Sequence, residues 1–349
     1  MKIALLTIWH EKNYGAELQA YATIKVLQSL GHEVEMVDIR LSDCSHPNIK
    51  GRIVSILSKF GPSHRKFCAF WEKYIPRTNR YKTLSDLQKN PPIADVYMVG
   101  SDQVWNPDLT KDFSSLYFLD FGHENQKRVS YASSFGVSEW AHPELREQIK
   151  KLLTRFSYVS CREQAGVELL KKEFNIKAEN VIDPTLLLDS YIELTGKTLQ
   201  RQTLVYYPLC NDPELEENAV KIAKQLGLKP VNNKATKNIL NAIEWDRVSI
   251  EYWVKNIAEA QFVITRSFHG MVFSILHNKQ FAIVEGVHGR SSRITSLLSL
   301  LGLSDRYFDS FESLIKGHPW DTPIDYSLTN IKVDSLRRES LDCLIEMLK

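Results

Sequence analysis

The sequence lacks the features that mark several large classes of protein. Its cysteines are scattered and form no CxxC pair, which argues against a disulfide framework and a zinc site. No apolar run approaches the ~18 residues of a membrane-spanning helix. The first apolar stretch also has no signal-peptide cleavage site. We therefore expect a soluble, cytoplasmic protein with reduced thiols.

An excess of charge of one sign is missing as well. The 349 residues include 44 Lys plus Arg and 42 Asp plus Glu, a net charge of +2. This balance gives no reason to expect nucleic acid as a partner. The GxxxxGK[ST], GxGxxG, HExxH and GxSxG motifs are absent too, which disfavours nucleotide hydrolysis, dinucleotide chemistry, zinc proteolysis and serine hydrolysis.

What the sequence does contain is the alternation of an α/β protein. Ile3–Thr7 predicts a first strand, an apolar pattern of helical spacing runs to Gly31, and Val34–Asp38 predicts a second strand. Since a helix separates these strands, the sheet should be parallel with right-handed crossovers. The fold class is therefore α/β.

The strand and helix pattern resets near residue 185, which predicts two domains. We expect two Rossmann-like domains, at 1–185 and 186–330, that face each other across a cleft. The first would bind the acceptor substrate and the second would bind the donor substrate. A helix at 331–349 would pack back on the first domain. Residues 42–92 are predicted to be an irregular or helical insertion without an assigned role.

A strand-to-helix turn in the second domain is the most informative segment. An apolar strand ends in Arg266, Ser267, Phe268, His269 and Gly270, and an apolar helix follows. The unpaired amides and the dipole of a helix N-terminus favour an anion. The same residues also fit a plain N-cap beside a structural histidine.

Two arginines lie at the start of the next predicted helix. Arg290 and Arg293 oppose the dipole of that helix, and an anionic ligand would remove the conflict. Solvated surface charges of small cost are the alternative.

In the first domain, a strand delivers Arg162 and Glu163 into a loop. If the domains close face to face, Arg162 would meet His269. A structural salt bridge to Glu163 or another acid fits the local sequence equally well.

Two further loops of the first domain suit a carbohydrate. Asp102, Gln103 and Trp105 follow a strand and a glycine, and such residues pair with sugar hydroxyls or stack on a sugar face. Asn13, Tyr14 and Gln19 form a similar polar loop. A turn with Asp102 bonded to its own backbone and Trp105 packed underneath remains the alternative.

Several separated motifs, taken in order, resemble the polysaccharide pyruvyl transferase family. They are Asn13-Tyr14-Gly15 with Leu18-Gln19, GSDQVWNP at 100–107, Tyr117-Phe118-Leu119, the stretch 130–136, Ser160 to Glu163, Asp183-Pro184, and Ser267-Phe268-His269-Gly270. The resemblance covers nearly the whole chain.

This resemblance implies an activity and a fold. Its members move the enolpyruvyl unit of phosphoenolpyruvate onto two sugar hydroxyls, which gives a pyruvate ketal and phosphate, and their fold resembles glycosyltransferases of the B type. Arg162 and His269 are implied to contact phosphoenolpyruvate. We expect His269 to be the general acid, and Asp102 or Glu163 to deprotonate the hydroxyl.

The partners follow from the same resemblance. We expect phosphoenolpyruvate as co-substrate and a glycan or lipid-linked oligosaccharide of a surface polysaccharide as acceptor, with no metal and no organic cofactor. The basic and aromatic stretch 52–80 would contact the inner face of the membrane, or else cover a sheet edge.

One departure from the family keeps alternatives open. Many members have Arg-Leu-His at the turn, where this chain has Ser267-Phe268-His269. Either Arg266, Arg290 or Arg293 would then supply the missing charge, or no residue would supply it. A glycosyltransferase-like enzyme with a nucleotide-sugar donor, and a family member that binds glycan or anion without turnover, are the competing hypotheses.

Overall fold

The computed structural model describes most of the chain as two compact units. The described residues are 1–41, 57, 59–209, 211–234, 238–239, 243–244, 246–286 and 292–349. The first unit contains 1–41, Trp71–Leu188 and Asp334–Lys349, and the second contains the described residues of 57–70 and Asp189–Val333.

The first unit is built on a parallel sheet with the strand order β2–β1–β3–β4. These strands are β1 (Lys2–Leu6), β2 (Glu33–Met36), β3 (Val96–Val99) and β4 (Lys127–Ser130). The short strands β5 (Ser160–Cys161) and β6 (Glu179–Asn180) pair with each other. Isolated bridges join Cys161 of β5 to Ser133 after β4, and Tyr158 before β5 to Val129 of β4. The central strands β1 and β3 are almost wholly apolar because helices cover both faces of a parallel sheet.

Helices fill the connections of the first unit. They are α1 (Tyr14–Ser29), α2 (Pro62–Tyr74), α3 (Leu84–Lys89), α4 (Pro107–Thr110), α5 (Arg146–Leu153) and α6 (Gln164–Leu169). Helix α6 continues as a π-helical turn, Leu170–Phe174. Helix α2 belongs to the second unit up to Phe70 and to the first unit from Trp71.

The second unit has a parallel sheet with the order β13–β12–β11–β7–β8. Its strands are β7 (Thr203–Tyr207), β8 (Lys229–Asn232), β11 (Phe262–Thr265), β12 (Gln280–Val284) and β13 (Tyr307–Phe308), beside an antiparallel pair, β9 (Asn238–Ile239) and β10 (Ile243–Glu244). Its helices are α7 (Ile192–Thr195), α8 (Pro213–Gln225), α9 (Ile250–Glu259), α10 (Phe268–Leu276), α11 (Ser292–Leu301) and α12 (Phe311–Gly317).

The last helix, α13 (Tyr326–Leu348), begins earlier than the sequence predicted. Leu328 and Ile331 in its first turns are 65% exposed, so no apolar stripe marks this part of the helix. From Asp334 on, α13 belongs to the first unit. There Arg337 donates to the Leu186 carbonyl at 2.7 Å.

No helix in the described part of the chain combines the length and apolarity needed to cross a bilayer.

The predicted insertion contributes helices α2 and α3. Its residues 42–56 and 58 lie outside the described part of the chain. Phe67, Phe70 and Trp71 of α2 are buried, so these aromatic side chains serve packing in this structure. Membrane contact by the stretch 52–80 stays a prediction.

A buried arginine holds the loop before β4. Arg128 is 0% exposed, and burial lowers its pKa to about 10. Its guanidinium donates to the carbonyls of Leu119, Phe121, His123, Glu124 and Gln126. One side chain therefore satisfies much of the backbone of this loop.

Arg128→Met is expected to lower the free energy of unfolding of the first unit by about 3 kcal/mol, since buried carbonyls would lose a charged donor. Urea denaturation followed by tryptophan fluorescence measures this. The exposed Arg338→Met is the control and should change stability by less than about 0.5 kcal/mol. Equal unfolding curves for both variants would show that the loop does not depend on Arg128.

Candidate functional site

In the second unit, β11 ends in a hydrogen-bonded turn at the carboxyl edge of the sheet. Ser267 is the N-cap of α10, and its hydroxyl accepts from the Gly270 amide at 3.3 Å. Thr265 accepts from the Ser267 amide at 3.0 Å and donates to the Tyr207 carbonyl of β7 at 3.3 Å. The turn is thereby fixed to the neighbouring strand.

Close packing explains the glycine in the first turn of α10. A Cβ atom at Gly270 would lie 2.7 Å from Thr265 Oγ1 and 2.8 Å from Thr265 Cγ2. A larger residue would push the helix away from the end of β11. The glycine keeps the N-terminus of α10 against the strand despite its cost inside a helix.

His269 lies in this first turn and is 8% exposed. Its ring meets the Phe268 ring edge-to-face at 5.2 Å between centroids. The amides of a first helical turn have no acceptor within the helix, so they and the helix dipole favour an anion here. The structure therefore has the strand, turn and helix that the sequence predicted, while anion binding itself stays a prediction.

Arg266, which directly precedes the N-cap Ser267, forms salt bridges with two acidic residues. Its Nε lies 3.2 Å from Asp212 Oδ2, and an Nη atom lies 2.5 Å from Glu214 Oε2. The guanidinium also lies 5.3 Å from the centre of the Phe311 ring. An anionic donor would have to compete with both carboxylates for this side chain.

Arg293 lies near a residue of the turn. It stands in the first turn of α11, and its guanidinium lies 5.9 Å from the centre of the Phe268 ring. The structure thus brings together two of the predicted donor residues, Phe268 and Arg293. Arg290 lies outside the described residues.

In the first unit, Arg162 is buried among carboxylates. Its guanidinium lies 2.6 Å from Asp183, 3.6 Å from Asp102 and 3.9 Å from Glu163, and it donates to the Ser101 hydroxyl at 3.4 Å. Burial disfavours its charge, but Asp183 above all, then Asp102 and Glu163, outweigh burial and raise the pKa of Arg162. A structural salt bridge was the alternative role that the sequence allowed for Arg162. The structure contains such salt bridges, and the shortest of them is with Asp183.

The two predicted bases also serve the loops that carry them. Glu163 Oε1 accepts from the Ser134 hydroxyl at 2.5 Å and from the Gly136 amide at 3.4 Å. Asp102 has a φ of 75°, and its carbonyl accepts from the Val104 and Ser134 amides. Glu163 therefore fixes the loop after β4, and Asp102 links that loop to the one after β3.

The predicted stacking surface of Trp105 needs correction. Trp105 is 0% exposed, its indole donates to the Tyr117 carbonyl at 3.0 Å, and its ring stacks on Phe118 at 5.3 Å. The ring face predicted for a sugar is therefore occupied by the core. The alternative of a ring packed under the turn is the one observed.

The other residues predicted to bind the acceptor substrate are buried or form hydrogen bonds within the protein. Tyr14 and Gln19 are 0% exposed, and Gln19 donates to Thr7 and to the Ile8 carbonyl, both at 3.0 Å. Asn13 is the N-cap of α1 and accepts from two of its amides. Gln103 accepts from the Asn106 amide group at 3.2 Å.

Sequence reasoning missed a cluster at the carboxyl end of β1. His10 stacks on Trp71 with 3.6 Å between centroids. The Trp71 indole donates to Glu17 Oε2 at 2.7 Å, and Glu17 Oε1 accepts from the Glu11 amide at 3.2 Å. Trp71 comes from the unassigned insertion, and no local sequence signal connects it to the first loop.

The two parallel sheets make this chain an open-sheet α/β protein, a class whose ligands generally bind beyond the carboxyl ends of the strands. The profile of the polysaccharide pyruvyl transferase family matches residues 13–286. The chain belongs to this family, whose name describes a transferase. No curated protein is similar in sequence to the chain.

Solved structures confirm the predicted fold class. The chain is similar to UDP-GlcNAc 2-epimerase from Methanocaldococcus jannaschii, with a TM-score of 0.52, 11% identity and 94% of each chain covered. It is also similar to the epimerase from Neisseria meningitidis, with a TM-score of 0.50, 10% identity, and 99% of this chain and 100% of that chain covered. Both likenesses concern the fold, which is α/β of the glycosyltransferase B type.

The described ranges contain no group of three or more His, Cys, Asp and Glu side chains arranged to hold a metal ion.

Proposed function

We propose that the protein transfers the enolpyruvyl unit of phosphoenolpyruvate to two hydroxyls of a sugar in a surface-glycan precursor, forming a pyruvate ketal and releasing phosphate. Family membership supports the transferase. The observation that carries the donor is the Ser267-capped turn, which presents first-turn amides and the buried His269 at the carboxyl edge of the sheet.

The donor's two anionic groups suit this turn. Phosphate accepts hydrogen bonds from the amides at a helix N-terminus, and Arg293 beside Phe268 adds a cation that a phosphate or carboxylate would bind. These groups would also offset the charge that develops on the departing phosphate.

The chemistry requires a proton for the methylene carbon of the enolpyruvyl unit. As an acceptor oxygen attacks C2, the C2–C3 double bond takes up a proton at C3, and His269 is the proposed donor of that proton. The second hydroxyl then displaces phosphate from C2. The proposal involves no metal and no organic cofactor besides the co-substrate.

Calorimetry with phosphoenolpyruvate and with uridine diphosphate tests the donor. We expect selective binding of phosphoenolpyruvate, and Arg293→Met should weaken it by about tenfold because a charged hydrogen bond is lost. The exposed Arg338→Met should bind like the wild type. Preference for uridine diphosphate would favour a nucleotide-sugar enzyme, and binding of neither would favour a family member without turnover.

A further inference from the structure

One arginine links the starts of two helices in the second unit. Arg266 directly follows β11 and precedes Ser267, the N-cap of α10. Its guanidinium meets Asp212 and Glu214 at the start of α8, at 3.2 and 2.5 Å. Because α8 follows β7, the parallel neighbour of β11, both helices start at the carboxyl edge of one sheet, where ligands of open α/β sheets bind.

The two acids hold this arginine unequally. Asp212 is the N-cap of α8, and its carboxylate accepts from the Leu215 amide at 3.1 Å. Its side chain is 15% exposed, whereas that of Glu214 is 63% exposed. An ion pair with an exposed partner contributes little, so Glu214 is the partner that an incoming anion displaces more easily.

The acids also reduce the positive charge beside the turn. One guanidinium faces two carboxylates, which leaves this cluster with an excess of negative charge. The dipole of α8 favours acids at its start, but Arg266 adjoins the turn of α10, where the proposed donor is an anion. While both acids hold the guanidinium, much of its charge is therefore cancelled for a ligand at that turn.

The guanidinium has N–H groups that the acids do not use. An arginine carries five N–H donors in a planar fork, and Glu214 accepts one hydrogen bond from that of Arg266. The buried Nε atom makes no hydrogen bond with any described residue, so its contact with Asp212 is an ion pair only. A phosphate or carboxylate can accept hydrogen bonds from such a fork.

We propose that Asp212 and Glu214 set the donor affinity of the turn by withholding Arg266, and that a bound donor draws the guanidinium away from Glu214. The two acids are thus positioning residues that act through the arginine. This inference rests on the proposed function and deepens its donor side. The exchange makes and breaks no covalent bond, because Arg266 replaces one anionic partner by another.

A purely structural role of the same side chains predicts a different result. If Arg266 only braced α8 against the end of β11, removing the charge of Glu214 would loosen the brace, and the affinity of the turn would stay the same or fall. If the acids withhold Arg266, the same change strengthens donor binding. The strengthening also requires that Arg266 be present.

Calorimetric titration with phosphoenolpyruvate tests this coupling. Glu214→Gln keeps the shape of the side chain and removes its charge, and it should lower Kd by about threefold, the size expected for an ion pair with an exposed partner. Asn is as good an N-cap as Asp, so Asp212→Asn can be added, and the double variant should lower Kd by about tenfold. In an Arg266→Met background, Glu214→Gln should change Kd by less than about 1.5-fold.

Glu217→Gln is the matched control, because it removes the same charge from an exposed residue of the same helix, where Glu217 pairs with Lys221. It should bind phosphoenolpyruvate like the wild type. The inference is overturned if Glu214→Gln leaves the affinity unchanged or lowers it, or raises it equally with and without Arg266. If neither the wild type nor the double variant binds phosphoenolpyruvate, the proposed function itself is wrong, and this inference with it.

Discussion

His269→Gln is expected to lower kcat for phosphate release from phosphoenolpyruvate by about 100- to 10,000-fold, the usual contribution of a general acid or base. Glutamine keeps a hydrogen-bond donor near the helix N-terminus, but its amide is not acidic enough to transfer a proton to the methylene carbon. Binding of phosphoenolpyruvate should therefore change far less than turnover.

His277→Gln is the matched control for this variant. His277 is the C-cap of the same helix, at the end away from the turn, and burial lowers its pKa to about 4, so it is neutral near physiological pH. It should leave kcat within about twofold of the wild type. Near-normal turnover of His269→Gln with weakened binding would leave His269 a binding residue and remove its role as acid.

Glu17→Gln is expected to abolish a large pH dependence of the stability of the first unit. Glu17 is 0% exposed, and burial raises its pKa from 4.5 to about 8. In the unfolded chain, the carboxyl ionises near pH 4.5. In the folded protein, it keeps its proton up to about pH 8.

The direction of the effect follows from proton binding in the two states. Below pH 4.5 both states hold the proton, and the full stability is present. Between pH 4.5 and about 8 only the folded state holds it, so stability falls by about 1.4 kcal/mol per pH unit. The total loss above the folded pKa is about 5 kcal/mol.

Urea denaturation of the wild type and Glu17→Gln at pH 5, 6.5 and 8.5 measures this difference. From pH 5 to pH 8.5, the free energy of unfolding of the variant should rise by about 4 kcal/mol relative to that of the wild type. The exposed Glu147→Gln serves as the control and should follow the wild type. A constant difference between wild type and Glu17→Gln across this range would mean that Glu17 is already ionised in the folded protein.

The regular elements with clear apolar patterns could be predicted residue by residue. The bounds of strands β7 and β12 and of helices α9 and α11 can be read from the sequence, because their apolar runs or stripes end at polar residues there. Strand β8 was missed. It lies at the sheet edge, it contains Pro230, and its half-exposed sequence has no alternating pattern.

The turn before α10 could be predicted from the sequence because the strand end, the N-cap and the first helical turn are consecutive in the chain. The surroundings of Arg162 could not, since Asp183 and Ser101 lie 21 and 61 residues away along the chain. The same holds for Trp71 and Glu17, which are 54 residues apart. Sequence patterns report neighbours along a strand or helix, whereas these contacts depend on how the chain returns to one sheet edge.

Helix α13 has a consequence for the order in which the protein folds during synthesis. Its residues from Asp334 complete the first unit, where Ser340 accepts from the Ile182 amide and Arg337 binds the Leu186 carbonyl. Chains emerge from the ribosome N-terminus first, and units generally fold as they emerge. The earlier part of the first unit therefore cannot form these two hydrogen bonds until the whole second unit has been synthesised.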